Sequence, residues 1–112
     1  MKKIALLNCL KANRVCTGAS CFKAFHDRTR SFERYRDKDV CLVAFMRCNG
    51  CDKDPLTDEG ILEKVERLEK EGVEVVHVGA CTKTREGGRC PTIQKIMGMM
   101  EEHGIELIDG TH

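Results

Sequence analysis

Eight cysteines stand in a chain of 112 residues, several times ordinary usage. Cys48 and Cys51 flank Asn49-Gly50 directly after an apolar run. Two intervening residues make a turn tight enough for both sulfurs to reach one metal ion, with Gly50 free to take positive φ. Alone, such a pair suits a zinc site, an iron-sulfur site or a dithiol oxidoreductase. Thiol density of this order means either a disulfide scaffold or a metal or redox site, and compartment separates the two. The stretch MKKIALLNCLKANR breaks its apolar run at Asn8 and Lys11, too short for the core of a secretion signal. No run approaches the ~18 apolar residues of a membrane span. The expectation is a cytoplasmic chain without membrane attachment, whose reduced thiols act as ligands or reactive groups.

The elements that must position these thiols follow from the hydrophobic pattern. Length allows one core, hence a single domain over 1–112. Apolar runs at 3–8 (KIALLN), 39–46 (DVCLVAFM), 73–79 (VEVVHVG) and 104–109 (GIELID) alternate with three helical patterns. That alternation predicts an α/β fold of three layers, a parallel four-stranded sheet with helices on both faces and a flavodoxin-like strand order. The first helix is expected over about 17–35, with an aromatic stripe of Phe22, Phe25, Phe32 and Tyr35 in the core. The second, over about 56–71, buries Leu62, Val65 and Leu68 behind a cap at Asp54 or Thr57 and ends at Gly72. The third starts at Cys90-Pro91, buries Ile93, Ile96, Met97 and Met100, and ends at Gly104.

In a right-handed parallel sheet, every strand-to-helix loop emerges at the carboxyl ends of the strands. Cys9, Cys16 and Cys21 follow the first strand, Cys48 and Cys51 the second, Cys81 and Cys90 the third. Seven of the eight cysteines are thus delivered to one edge of the sheet. The last strand leaves at the same edge and directs the terminal His112 toward them. Cys9, Cys48, Cys51 and Cys81 are the leading ligand candidates, with Cys90, His112, Cys16 and Cys21 behind them. Cys41 lies inside the second strand and reads as a small hydrophobe; its Cys-x5-Arg spacing to Arg47 lacks the glycines of a phosphatase loop. His77 reads as a satisfied core histidine.

A composite thiol set of this kind suits zinc or an iron-sulfur cluster, at a site built by the fold. The second reading is a thiol redox enzyme or transferase using Cys48 and Cys51, or Cys90, which precedes a helix whose dipole favours thiolate. Asp52 and Asp54 oppose thiolate formation at the Cys-x-x-Cys pair. A third reading makes the domain a module for a protein partner; neither the enzyme question nor the oligomeric state is decided. Lys plus Arg number 19 against 18 Asp plus Glu, a balance of +1 that gives no reason to expect nucleic acid as a partner. Arg28, Arg30, Arg34 and Arg36 interleave with acids as on a solvated helix face. No loop has a nucleotide-binding glycine pattern; Glu86-Gly87-Gly88-Arg89 reads as a flexible loop letting Cys90 swing.

The strand ending in Asn8-Cys9, the segment from Cys16 to Ala24 (CTGASCFKA), Cys48-Asn49-Gly50-Cys51, His77-Val78-Gly79-Ala80-Cys81, Cys90-Pro91 and Gly110-Thr111-His112 together resemble the CGGC-domain family nearly end to end. The resemblance implies a small metal-binding protein, with zinc the usual expectation, and supplies no reaction. Asn49 stands where that family usually has its first glycine; Asn tolerates positive φ, so the turn is expected to survive.

Overall fold

The computed structural model describes residues 1–84 and 86–112. Its strands are β1 (Lys2–Asn8), β2 (Val40–Arg47), β3 (Val75–Val78) and β4 (Glu106–Asp109), and its helices α1 (Ala19–Asp27), α2 (Glu59–Glu71) and α3 (Pro91–Glu102). All strand pairs are parallel, in the order β2-β1-β3-β4. These are the first four places of the flavodoxin-like order.

Helices cover both faces, as the alternating runs require. Ala5, Leu7, Val76 and Val78 face an aliphatic core with Ile61, Val65 and Leu68 of α2 and Ile93, Ile96 and Met100 of α3. Ile4 and Leu6 face the other way, onto an aromatic core of Phe25, Phe32 and Tyr35. Central β1 is buried from Ile4 onward, whereas edge strand β2 is mostly half-buried. Between Ile4↔Leu42 and Ala5↔Ala44 the register skips Val43, an extra residue that bulges β2. The bulge breaks the alternation, so Val43 and Ala44 both meet the aliphatic core. No helix among the described residues is long and apolar enough to cross a membrane.

Three local expectations need correction. The single helix over 17–35 is two pieces, α1 and a 3-10 segment at Arg30–Tyr35. Arg28 and Arg30 both take left-handed φ of 55° at the joint, a place normally given to glycine. With no glycine or proline to mark it, nothing in the sequence signals the break. The aromatic stripe survives, because Phe25 and Phe32 pack edge to face at 5.5 Å. Phe22 leaves it and stacks on Phe45 at 5.6 Å, 37% exposed. Helix α2 is capped by Asp58, whose carboxylate accepts from Gly60 N at 2.9 Å; Asp54 instead accepts from Leu56 N in the preceding turn. The later start buries Ile61 and leaves Leu62 exposed. In α3, Met99 is buried and Met97 only partly.

Candidate functional site

The central place of β1 decides how thiols meet. Its exit turn passes between the exits of β2 and β3, and two consecutive amides of that turn reach one neighbour each. Cys9 N donates to Cys81 Sγ at 3.3 Å, and Leu10 N donates to Cys48 Sγ at 3.4 Å. A backbone N–H aimed at sulfur stabilises negative charge there, the state in which sulfur binds metal. Asn8, buried at the end of β1, ties the same neighbours together. Its Oδ1 accepts from the Cys81 thiol at 3.4 Å, and its backbone carbonyl accepts from Cys48 N at 3.2 Å. Gly79 makes this approach feasible, since a Cβ there would lie 2.0 Å from Asn8 Oδ1 and 3.4 Å from Cys81 Sγ.

Cys81 is exposed as a residue, yet its sulfur packs against Asn8 and Gly79. Burial of the sulfur pushes its pKa up; the Cys9 amide opposes this, while the thiols of Cys9, Cys21 and Cys16 add to it. Cys16 and Cys21 form a second group beside it. Cys16 Sγ accepts from Gly18 N at 3.3 Å, where Gly18 opens α1 with φ of 82°. Cys21 is buried in the first turn of α1 and donates to Thr111 Oγ1 at 3.2 Å. Burial raises its pKa, partly offset by the Thr111 hydroxyl.

Thr111 is in place because the tail is pinned. His77 is fully buried, its Nδ1 2.9 Å from the Gly110 carbonyl and its Nε2 2.7 Å from the Tyr35 hydroxyl. A carbonyl only accepts, so Nδ1 carries the proton and Nε2 accepts from Tyr35. Burial lowers the His77 pKa, with the Gly110 carbonyl opposing. His77 is thus the satisfied core histidine expected. Arg89 joins Asp109 to Thr82, and its hydrogen bond holds the Asp109 carboxyl below the usual range.

The remaining candidates are placed differently. Cys51 is exposed in the turn after β2, and no hydrogen bond reaches its side chain among the described residues. Gly50 takes φ of 114°, as the turn requires. Asn49 is not left-handed; its side chain donates to Asp58 at 3.2 Å and accepts from Lys64 at 2.7 Å. Where a glycine was expected, the chain has a strut from the Cys-x-x-Cys turn to the start of α2. That strut holds the Asp58 carboxyl low. Cys90 is half-buried at the cap of α3, its N–H donating to Thr82 O at 2.9 Å. Rather than a loose loop, the segment before it pairs Lys83 with Arg89 and is clamped through Arg89. His112 is exposed beside α1, in a shallow cleft with Lys23, Asp27 and Arg30 that no cysteine lines. Cys41 is half-buried within β2.

Among the described residues, no three His, Cys, Asp or Glu side chains stand together at metal-binding spacing. A cleft of about 340 Å³, lined by Lys2, Arg34, Tyr35, Asp39 and Glu106, lies at the opposite edge of the sheet and contains no thiol. Position after the strands indicates Cys9, Cys48, Cys51 and Cys81; it does not indicate contacts through Asn8, the Leu10 amide or Thr111, which depend on backbone position or one short side chain.

These thiol exits coincide with a family match: the CGGC domain model covers residues 3–112. The chain belongs to the CGGC domain family. A relative in Methanocaldococcus jannaschii, named "Uncharacterized protein MJ0582", is 36% identical over 118 aligned positions, covering 98% of this chain and 86% of the relative. No solved structure matches the chain significantly. In this CGGC domain the name-giving turn is Cys48-Asn49-Gly50-Cys51, with its first thiol turned inward and its second outward.

Proposed function

We propose that this CGGC domain is a cytoplasmic metal-binding domain that takes up zinc or an iron-sulfur cluster on thiolates at the carboxyl edge of its sheet. One observation carries the reading: successive amides of the β1 exit donate to sulfurs from both flanking strands, Cys9 N to Cys81 and Leu10 N to Cys48. Hydrogen bonds to sulfur are the outer contacts that steady thiolate ligands and tune their metal. The donor set suits a soft or borderline metal, being sulfur-rich with no carboxylate in its centre. Cys9, Cys48 and Cys81 lead, and Cys51, Cys90, Cys16 and Cys21 are the further thiols of the same edge, whereas His112 stands apart from them beside α1. Bound metal would supply charge to hold several thiolates together, and the amides of Cys9 and Leu10 would orient two of them. Binding of this kind also stabilises the fold, by roughly 10–16 kcal/mol for structural zinc in small peptides.

Protein purified without oxygen is expected to carry about one zinc, or iron with sulfide and brown thiolate-to-iron absorption. Stripping the metal lowers the melting temperature, and returning it restores it. Protein with neither zinc nor iron, and no thermal shift on adding either, overturns the reading. The observation favouring the thiol-redox alternative is the exposed Cys81 beside Cys9, rather than the Cys48–Cys51 pair.

A further inference from the structure

We infer that Cys9 and Cys81, and not the Cys-x-x-Cys pair, form the disulfide of this domain, and that closing it disables the thiol site. The inference rests on the thiol edge being the functional site. Cys81 Sγ lies 3.3 Å from the Cys9 backbone nitrogen, which puts one sulfur of the pair directly against the other residue's backbone. They follow neighbouring strands directly, where Leu7 pairs with Val78 and Gly79 N donates to Leu7 O at 2.9 Å. Cys81 is exposed as a residue although its sulfur leans on Asn8, and Cys9 is half-buried beside it, so the pair lies at the surface of the edge. The Cys-x-x-Cys pair has the opposite arrangement: Cys48 is 3% exposed with its sulfur on the Leu10 amide, and Cys51 faces solvent. Asn49, between them, is held by Asp58 and Lys64, which resists the rotation that would bring the two sulfurs together.

The oxidant is a low-molecular-weight disulfide. Cys81 thiolate attacks one of its sulfurs and a first thiol leaves; Cys9 then attacks the Cys81 sulfur and a second thiol leaves. Two cysteine thiols are oxidised, one small disulfide is reduced to two thiols, and the two cysteine protons end on them. Cys9 and Cys81 then have no thiolate to give a metal.

The test treats reduced, chelator-washed protein with oxidised glutathione and maps disulfides by peptide mass spectrometry, followed by zinc titration of both forms. A dominant Cys9–Cys81 peptide is expected, with at least tenfold weaker zinc binding by the oxidised form. Cys9→Ser is expected to stop at a Cys81–glutathione adduct. A dominant Cys48–Cys51 peptide, or Cys9 and Cys81 staying free while other thiols oxidise, overturns the inference. Zinc uptake by reduced protein with no Cys9–Cys81 peptide overturns it and leaves the metal reading standing. The peptide in a protein that never takes up zinc or iron supports the pair and overturns the metal reading instead.

Discussion

His77 lies within β3 and Cys81 just past its end, yet the two are in opposite situations. Around His77 every polar atom is answered: the ring bridges Tyr35 and Gly110 and packs tilted against Phe32 at 4.5 Å, with no solvent contact. Around Cys81 the polar atoms answer from one side only, through Asn8 and the Cys9 amide, and the residue opens to solvent. Closed networks of the first kind specify a unique core. A sulfur that receives one amide and donates to one carbonyl oxygen, both from the same side, keeps its other side for a ligand. The His77 group holds this CGGC domain together, while the Cys81 group is the one open to a further partner.

The largest effect that would sharpen this contrast is at the closed knot. His77→Phe keeps an aromatic ring but leaves the Tyr35 hydroxyl and the Gly110 carbonyl without their partner. Stability in urea is expected to fall by about 2–4 kcal/mol, from two buried groups at about 1–3 each with partial relief by water. The same knot sets a pH dependence. The folded pKa of His77 lies below its ordinary value, so below about 6.5 the unfolded chain takes up a proton that the folded chain refuses. Stability is therefore full above that pH and falls as pH drops through it; urea titrations of His77→Phe should lack this component. If wild type and variant share one slope there, the knot is not closed to protons.

A smaller effect is expected where knot and thiol edge adjoin. Gly79→Ala places a methyl against Asn8 and should cost about 1–3 kcal/mol, as overpacking does. Its diagnostic is chemical: alkylation at Cys81 should change rate, while Cys90, on the other side of the loop, should not. Equal changes at both thiols would mean general loosening rather than a shaped contact. The smallest effect is at the Cys-x-x-Cys turn. Asn49→Gly removes the strut to the half-buried Asp58 and Lys64 but leaves the helix cap, and should cost about 1 kcal/mol. Disulfide mapping of that variant should show more Cys48–Cys51 bridge than wild type.

Much of this contrast is legible in the residue string. The period of the apolar runs and the helix stops at Gly72 and Gly104 imply parallel β-α units, and right-handed crossovers then carry the thiols to one edge. The core role of His77 follows from its alternation with Val76 and Val78. The break at Arg28–Arg30 does not follow, because non-glycine residues take the left-handed turn under tertiary control. Nor does the pairing of Cys81 with Asn8 and Cys9, which depends on β1 lying between β2 and β3 and on backbone amides that carry no residue identity. The Cys-x-x-Cys spacing drew attention to Cys51, whereas burial turns only Cys48 inward.

The most direct measurement is an anaerobic cobalt(II) titration of the reduced protein, read by absorption and repeated for Cys9→Ser, Cys48→Ser and Cys81→Ser. Cobalt takes the place of zinc and reports thiolate ligands as sulfur-to-cobalt charge-transfer bands in the near ultraviolet. One cobalt per chain is expected, with those bands and the intense visible absorption of a tetrahedral site, and each substitution should weaken both. A spectrum of hydrated cobalt alone, or bands that survive all three substitutions, would contradict the assignment of the metal site to the three strand exits.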